Sequence, residues 1–187
     1  MSKSVTHERL AELPVALILD NVRSLYNVGA FFRTADAVCI ETLYLSGYTG
    51  SPPNKEITKT ALGAETTVAW ERTPDPVETL QTLRGRGYEL VAVETTESAV
   101  DLFKWQPSFP VCLLFGNEVE GTSPALLDLC ETHVQIPMLG RKRSLNVATA
   151  GGVVLYELLR KHRYPVERAE LGAPVLVPTG DGPARSR

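Results

Sequence analysis

Ser144-Leu-Asn-Val-Ala-Thr-Ala-Gly-Gly-Val-Val-Leu-Tyr-Glu-Leu-Leu-Arg-Lys-His-Arg163 decides how this chain is read. It sets a serine and an asparagine at the mouth of a long apolar helix, where side-chain oxygens can accept the free N–H groups of the first turn. Three cations, Arg141, Lys142 and Arg143, stand directly before it, and the strand-like segment His133-Val-Gln-Ile-Pro-Met138 precedes them. A polar, basic loop between a buried strand and a buried helix is where an α/β protein does its chemistry. Two more strand ends of this kind occur earlier, at Asn27-Val-Gly-Ala-Phe-Phe-Arg33 and at Gly116-Asn-Glu-Val-Glu-Gly121. Three such loops in one small domain point to one site.

Working outward, the segment Val15-Ala-Leu-Ile-Leu19 has the unbroken apolar character of a strand buried on both faces. A helix is expected over Asn27 to Ala37, with Asn27 as its cap. A strand follows over Thr42–Leu45, a turn-rich loop to Asn54, and a short helix over Lys55–Leu62 stopped by Gly63. Thr66–Trp70 reads as a short strand, and Pro76–Arg84 as a helix with proline at its first position, where a missing N–H costs nothing. Strands at Leu90–Val93 and Val111–Phe115, a helix over Ser123–Cys130 capped by Ser123, and a strand at His133–Ile136 lead to the final helix, Leu145–Arg163. Strands and helices alternate throughout, which predicts an α/β fold, a mostly parallel sheet with helices on both faces. Residues 1–13 read as an N-terminal arm or short polar helix stopped by Pro14. Residues 14–163 form the domain, and residues 164–187 a loose Pro- and Gly-rich C-terminal tail.

A chain of 187 residues with 43% hydrophobic and 22% charged residues is the size and composition of one ordinary globular domain. Cys39, Cys112 and Cys130 are scattered and odd in number, which fits core thiols in a reducing compartment and neither a disulfide framework nor a zinc site. His7, His133 and His162 offer no ligand pair, so no metal is expected. No apolar run has membrane-spanning length, and the N-terminus lacks the apolar core of a signal peptide, so the expected location is the cytoplasm and no membrane partner is foreseen. A net charge of −3 excludes a uniformly basic nucleic-acid binder but not a local basic patch. Arg141–Arg143 form one cluster and Arg160–Arg163 another, while Lys55 and Lys59 share a helical face. Each cluster alone is an ordinary solvated surface.

The dinucleotide fingerprint and the Walker phosphate loop are both missing, and Gly121-Thr-Ser-Pro-Ala125 has alanine where a nucleophile elbow needs its second glycine. The three loops instead resemble, in order, the three motifs of the SpoU (TrmH-like) RNA ribose 2′-O-methyltransferases of the SPOUT superfamily. These are Asn27-x-Gly29-x-x-x-Arg33, then Phe115-Gly-Asn-Glu118-x-x-Gly121, then Ile136-Pro-Met138 followed by Ser144-Leu-Asn146. Lys59-Thr-Ala-Leu-Gly-Ala-Glu65 is similar to the segment between the first two motifs in some members.

The resemblance implies a C-terminal deep trefoil knot, S-adenosyl-L-methionine as cofactor, an RNA substrate and a homodimer. It also implies that RNA recognition, without a separate N-terminal RNA-binding domain, falls to the dimer surface and the chain ends. It places catalytic roles on Arg33, Asn27, Glu118, Ser144 and Asn146, and cofactor contacts on Thr95, Gly116, Asn117, Ile136, Met138, Ser144 and Leu145, mainly through the main chain. RNA-binding residues are expected at Arg33, Arg141, Lys142, Arg143, Lys55 and Lys59. Gly116 fits a strand end where a flat ring approaches closely. For Arg33 the family role is that of the base, although a guanidinium stays protonated at all accessible pH. Gripping a phosphate or stabilising an alkoxide is the alternative. A compact enzyme favours tRNA. Ribosomal RNA as substrate, or a non-catalytic RNA-binding module of the same fold, is the other reading.

Overall fold

In the computed structural model, which describes residues 12–164, the two most apolar segments of the sequence lie side by side at the centre of the sheet. β1 (Leu13–Asp20) and β6 (Val111–Phe115) contain no exposed residue and pair in parallel from Val15↔Val111 to Leu19↔Phe115. Around them stand β2 (Ile40–Ser46), β3 (Trp70–Thr73), β4 (Glu89–Val93), β5 (Val100–Asp101) and β7 (Thr132–Gln135). The order is β3-β2-β1-β6-β4-β7-β5, and every pairing is parallel. The expectation of a mostly parallel α/β sheet therefore holds.

Strand alternation sorts the core into two layers. Val15, Leu17 and Leu19 of β1 join Leu113 and Phe115 of β6 under α1 (Leu25–Val38), α2 (Lys55–Ala61) and α5 (Val147–Arg163). Ala16, Ile18, Cys112 and Leu114 point the other way, against Leu80 and Leu83 of α3 (Pro76–Gly85) and Leu126 of α4 (Pro124–Leu127). Successive strand residues face opposite sides, so a strand between two helical layers must be apolar at every position. Cys112 and Cys130 belong to the second layer, and burial pushes both thiols up, Cys130 to about 12.

The boundaries differ from those expected of the sequence in instructive ways. Pro14 does not stop an element; it is the second residue of β1, beside an irregularity in register between Leu13 and Ala16, a place where a missing N–H is tolerated. Leu13, the last residue of the expected arm, opens β1 rather than ending an arm; residues 1–11 of that arm and 165–187 of the expected tail lie outside the described residues. The strand expected over Thr66–Trp70 is displaced. Ala64–Thr66 form a single tight 3₁₀ turn instead, in which Thr66 N and Oγ1 both donate to Gly63 O, and the strand starts only at Trp70. The Ser123–Cys130 helix shrinks to Pro124–Leu127, its capping serine making no side-chain bond. The two-residue strand β5 is not expected from the sequence; its pattern is too short to carry a period.

The final helix is fixed at both ends. Asn146, not Ser144, is its cap, accepting from Ala148 N at 3.0 Å and Thr149 N at 3.2 Å. At the other end the Lys161 side chain, 6% exposed, donates through its ammonium to Leu102 O at 2.6 Å and to Trp105 O, and lies 3.5 Å from Glu157. One member of the Arg160–Arg163 cluster is thus a structural pin between α5 and the turn after β5. Burial pulls the Lys161 amine below its ordinary range, although Glu157 opposes the shift.

α1 is the helix on which the rest of its layer packs. A Cβ at Gly29 would come 2.0 Å from Thr60 Oγ1 and 2.4 Å from Ile57 O of α2. Thr60 can turn away, at the loss of its 3.1 Å bond to Tyr26 O, but a helix carbonyl cannot. Gly29→Ala should therefore cost ~1–3 kcal/mol by overpacking, read as a lower urea midpoint with an unchanged slope. An unchanged midpoint would mean the two helices do not meet there.

Candidate functional site

The first helix begins earlier than its sequence suggests. Ser24, not Asn27, caps α1: Ser24 Oγ accepts from Asn27 N at 3.3 Å. Asn27 therefore sits inside the first turn with its amide free to act elsewhere. Asn27 Nδ2 donates to Glu118 Oε1 at 3.0 Å, and Asn27 Oδ1 accepts from Asn146 Nδ2 at 3.1 Å. One amide thus joins three loops that are far apart in sequence. The same Glu118 carboxylate accepts from Arg23 N at 2.9 Å and Ser24 N at 3.1 Å, taking two of the N–H groups at the entrance to α1.

Glu118 is held by its own tight loop. Asn117 and Gly121 exchange backbone bonds of 3.1 and 3.0 Å, and Asn117 Oδ1 accepts from Val119 N and Glu120 N, both at 2.8 Å. Asn117 Nδ2 reaches back to Asn21 O at 2.9 Å and to the Tyr48 hydroxyl at 2.6 Å. Gly116 also has a structural reason to be glycine. A Cβ there would meet Thr122 Oγ1 at 2.5 Å and Thr122 N at 2.6 Å, so the glycine is required by the folding back of its own loop.

Burial raises the Glu118 carboxyl, but the bonds from Arg23 N, Ser24 N and the Asn27 side chain outweigh it and hold the group below the usual carboxylate range. It remains an anion that accepts only.

These loops wall a cleft of about 500 Å³ at the carboxyl ends of β4, β6 and β7, next to the point where the chain turns from one side of β1 to the other. Open parallel sheets bind ligands at such a switch point. The structure brings Thr95, Gly116, Asn117, Glu118, Ile136, Met138, Ser144, Leu145 and Asn146 to its lining, together with Arg143. Asn27 joins through its bonds to Glu118 and Asn146. Arg141 and Lys142 are exposed beside Arg143. Arg33 is not brought to the lining: it is exposed on α1, without a hydrogen bond or ion pair among the described residues. Lys55 is exposed on α2, and Lys59 is paired with Glu56 at 2.7 Å.

Glu94, which the sequence does not single out, also lines the cleft. Its two oxygens accept from Thr95 N and Thr122 N, each at 3.0 Å, and tie the end of β4 to the Glu118 loop. Nothing in the sequence sets it apart from Glu97 three residues later. Among the described residues no group of three or more His, Cys, Asp or Glu is placed to hold a metal, and no helix is long and apolar enough to cross a membrane.

A doubly covered parallel sheet with a cleft at its switch point, closed by a loop that enters the last helix, defines a nucleotide- or cofactor-binding α/β domain. Within that class, residues 14–156 match the SpoU rRNA methylase family, and the chain belongs to it. It is 33% identical to the tRNA (guanosine(18)-2′-O)-methyltransferase of Aquifex aeolicus over 85% of this chain and 74% of that one. It is 31% identical to the 23S rRNA (guanosine-2′-O-)-methyltransferase RlmB of Vibrio parahaemolyticus over 80% of this chain, spanning 60% of that enzyme's length. The SpoU methyltransferase AviRb from Streptomyces viridochromogenes, solved in complex with the cofactor AdoMet, superposes with a TM-score of 0.74 at 28% identity, over 87% of this chain and 66% of that one.

The lowered Glu118 gives a pH signature. A carboxyl whose folded-state value lies below its unfolded value stabilises the fold above the ordinary 4.5, and this is lost as pH falls through the folded value. In urea unfolding, the stability gap between wild type and Glu118→Gln should be largest near neutrality and shrink below pH 4.5. A gap of the same size at pH 3 and pH 7 would show that the ionised form is not what the loop entrance recognises.

Proposed function

We propose that this chain is an S-adenosylmethionine-dependent enzyme that methylates a ribose 2′-hydroxyl of RNA, with tRNA favoured and ribosomal RNA the alternative. The observation that carries this reading is the Glu118–Asn27–Asn146 relay, which draws the three family motifs onto one cleft. Relatives named for tRNA and for 23S rRNA methylation both support the chemistry.

The cleft fits the cofactor. Its volume lies in the range of small-molecule sites. Ile136, Met138, Leu145 and Val147 supply an apolar wall, and the carboxylates of Glu94 and Glu118 suit a cation. Main-chain groups of Thr95, Gly116, Ile136, Met138 and Leu145 would hold the adenosine. When bound, S-adenosylmethionine supplies an electrophilic methyl on sulfur. This chain's residues must set the ribose oxygen in line with it, because positioning supplies much of the rate. Asn146 and Ser144, which line the cleft at the entrance of α5, would hold the sugar, and Asn27, fixed by Glu118, keeps Asn146 in one orientation.

Arg33 comes six positions after Asn27, about 240° around α1 and about 9 Å along it. Its guanidinium faces a different surface from its own relay. Its exposure on α1 supports a homodimer in which Arg33 serves a cleft from a second copy. Gly151 packs against Phe31, but a Cβ at Gly152 meets nothing within 4 Å, leaving room for a close neighbour. A guanidinium only donates, so Arg33 would act on a phosphate or a developing alkoxide, favouring loss of the 2′-hydroxyl proton to solvent water as the methyl is transferred to oxygen.

The route of the last connection supports the knot. The chain leaves β7, two strands beyond β6, and returns across the ends of β4 and β6 to start α5 against Asn27. A cytoplasmic location, where RNA is processed, completes the reading.

Purified protein, radiolabelled S-adenosylmethionine and RNA from a strain lacking the gene should yield label in alkali-stable dinucleotides. No label in tRNA or rRNA overturns the reading. Cofactor binding by calorimetry without transfer would favour the RNA-binding module instead. Arg33→Ala should reduce turnover by about 100-fold or more with cofactor affinity unchanged; normal turnover refutes its role. Replacing Arg141, Lys142 and Arg143 with glutamine should flatten the salt dependence of RNA binding, the slope falling by about 0.7–0.9 for each phosphate no longer neutralised. An unchanged slope returns them to ordinary surface.

A further inference from the structure

We infer that Tyr48 is a fixed stacking platform for a nucleobase of the RNA substrate, with Arg23 taking a neighbouring phosphate; this rests on the proposed RNA-methylating function. The observation is a conflict between exposure and order. The Tyr48 residue is 57% exposed, yet its hydroxyl is held at 2.6 Å by Asn117 Nδ2 and its backbone N–H by Asn21 Oδ1 at 3.2 Å.

The backbone on either side is equally constrained. Thr49 is fully buried, its hydroxyl donating to Leu19 O at 3.0 Å and accepting from Val22 N at 3.0 Å. Arg72 donates to Gly47 O at 2.9 Å and to Thr49 O at 3.1 Å. Gly47 sits at φ +59°, where a Cβ would strike Asn21 Oδ1 at 2.0 Å. These contacts come from β1, β3 and the loop after β6, and all converge on a three-residue turn with one solvent-facing ring.

The ring's place fits a base. Asn117, which holds the hydroxyl, lines the cleft and precedes Glu118, so Tyr48 stands at the rim of the reaction site. An aromatic residue fixed before binding loses little conformational freedom when a flat partner lands on it. Every base offers a π-face, so such a platform serves any nucleotide, and stacking is worth ~1–3 kcal/mol per base. Arg23 lies on the adjoining turn, its N–H on Glu118 Oε2 at 2.9 Å. It is exposed and makes no ion pair among the described residues. A ring and a free guanidinium on two neighbouring turns, both tied to the Asn117–Glu118 loop, match the alternation of base and phosphate along an RNA strand.

The test uses the full chain with bulk tRNA and an unstructured oligoribonucleotide, following RNA affinity by anisotropy, S-adenosylmethionine affinity by calorimetry, and oligomeric state by sedimentation. Tyr48→Leu keeps bulk but removes the π-face, and should weaken RNA binding about 5- to 100-fold while cofactor affinity and oligomeric state stay unchanged. Tyr48→Phe, which loses the bond to Asn117, and Tyr48→Trp should remain within about twofold of wild type, with the new indole quenched as RNA binds. Arg23→Gln should lower the salt slope by about one.

RNA affinity of Tyr48→Leu equal to wild type overturns the inference. So does an equal loss in Tyr48→Phe, which would make the residue a brace for Asn117, or a change in oligomeric state, which would make the ring a subunit contact. If wild type itself binds no RNA, the proposed function falls and this inference falls with it; if wild type binds and only the variants behave otherwise than expected, the function stands and Tyr48 alone is misassigned.

Discussion

A single carboxylate organises this domain's working end. Glu118 takes the Arg23 and Ser24 N–H groups and the Asn27 amide, so the entrance to α1 is ordered by an acceptor from the far end of β6. Charge-assisted bonds of this kind are stronger than neutral ones, and the N-terminus of a helix favours an anion. Once Asn27 is fixed, its oxygen receives Asn146 Nδ2, and Asn146 in turn caps α5. The two helices that cover one face of the sheet are thereby set relative to each other by two asparagines and one glutamate, each with few other ways to satisfy its hydrogen bonds.

The rest of the architecture makes that arrangement precise. β1 and β6 are buried on both sides and register with each other residue by residue, so the turns leaving them begin at fixed points. Buried polar side chains gather at the carboxyl ends of the strands: Asp20, Ser46, Thr49 and Asn117 are all buried, and the hydroxyl of Thr49 and the amide of Asn117 are spent on binding neighbouring turns. A parallel sheet delivers all its strand ends to one edge, and here that edge is a mesh of side chain-to-backbone bonds rather than a set of independent loops.

Much of this is written locally, and some of it is not. The two-sided apolar runs of β1 and β6, the proline that opens α3, and the alternation of strand and helix each depend on neighbours in sequence, and each is where its pattern puts it. Failures occur where the deciding contact is remote or the segment too short. Asn27 has the right chemistry for a cap, but Ser24 three residues earlier takes that position, and only the distant Glu118 and Asn146 give Asn27 another use. Thr66 has a strand-former's side chain, yet its hydroxyl and N–H both turn to Gly63. Gly116 is identifiable as special, but the Thr122 backbone that leaves no room for a Cβ behind it is visible only in the folded loop. Glu94 and Tyr48 carry no local signature at all. Both matter through partners more than twenty residues away, a relation visible only once the strands are side by side.

Lys161 gives the last helix an unusual fastening. An amine that donates to two carbonyls, on a side chain only 6% exposed, is largely shielded from solvent while that helix is docked. Its reactivity towards acylating reagents is therefore gated by the opening of α5. Any acetylation there records a past excursion of the helix away from the sheet, and once acylated the side chain can no longer return to its former seat.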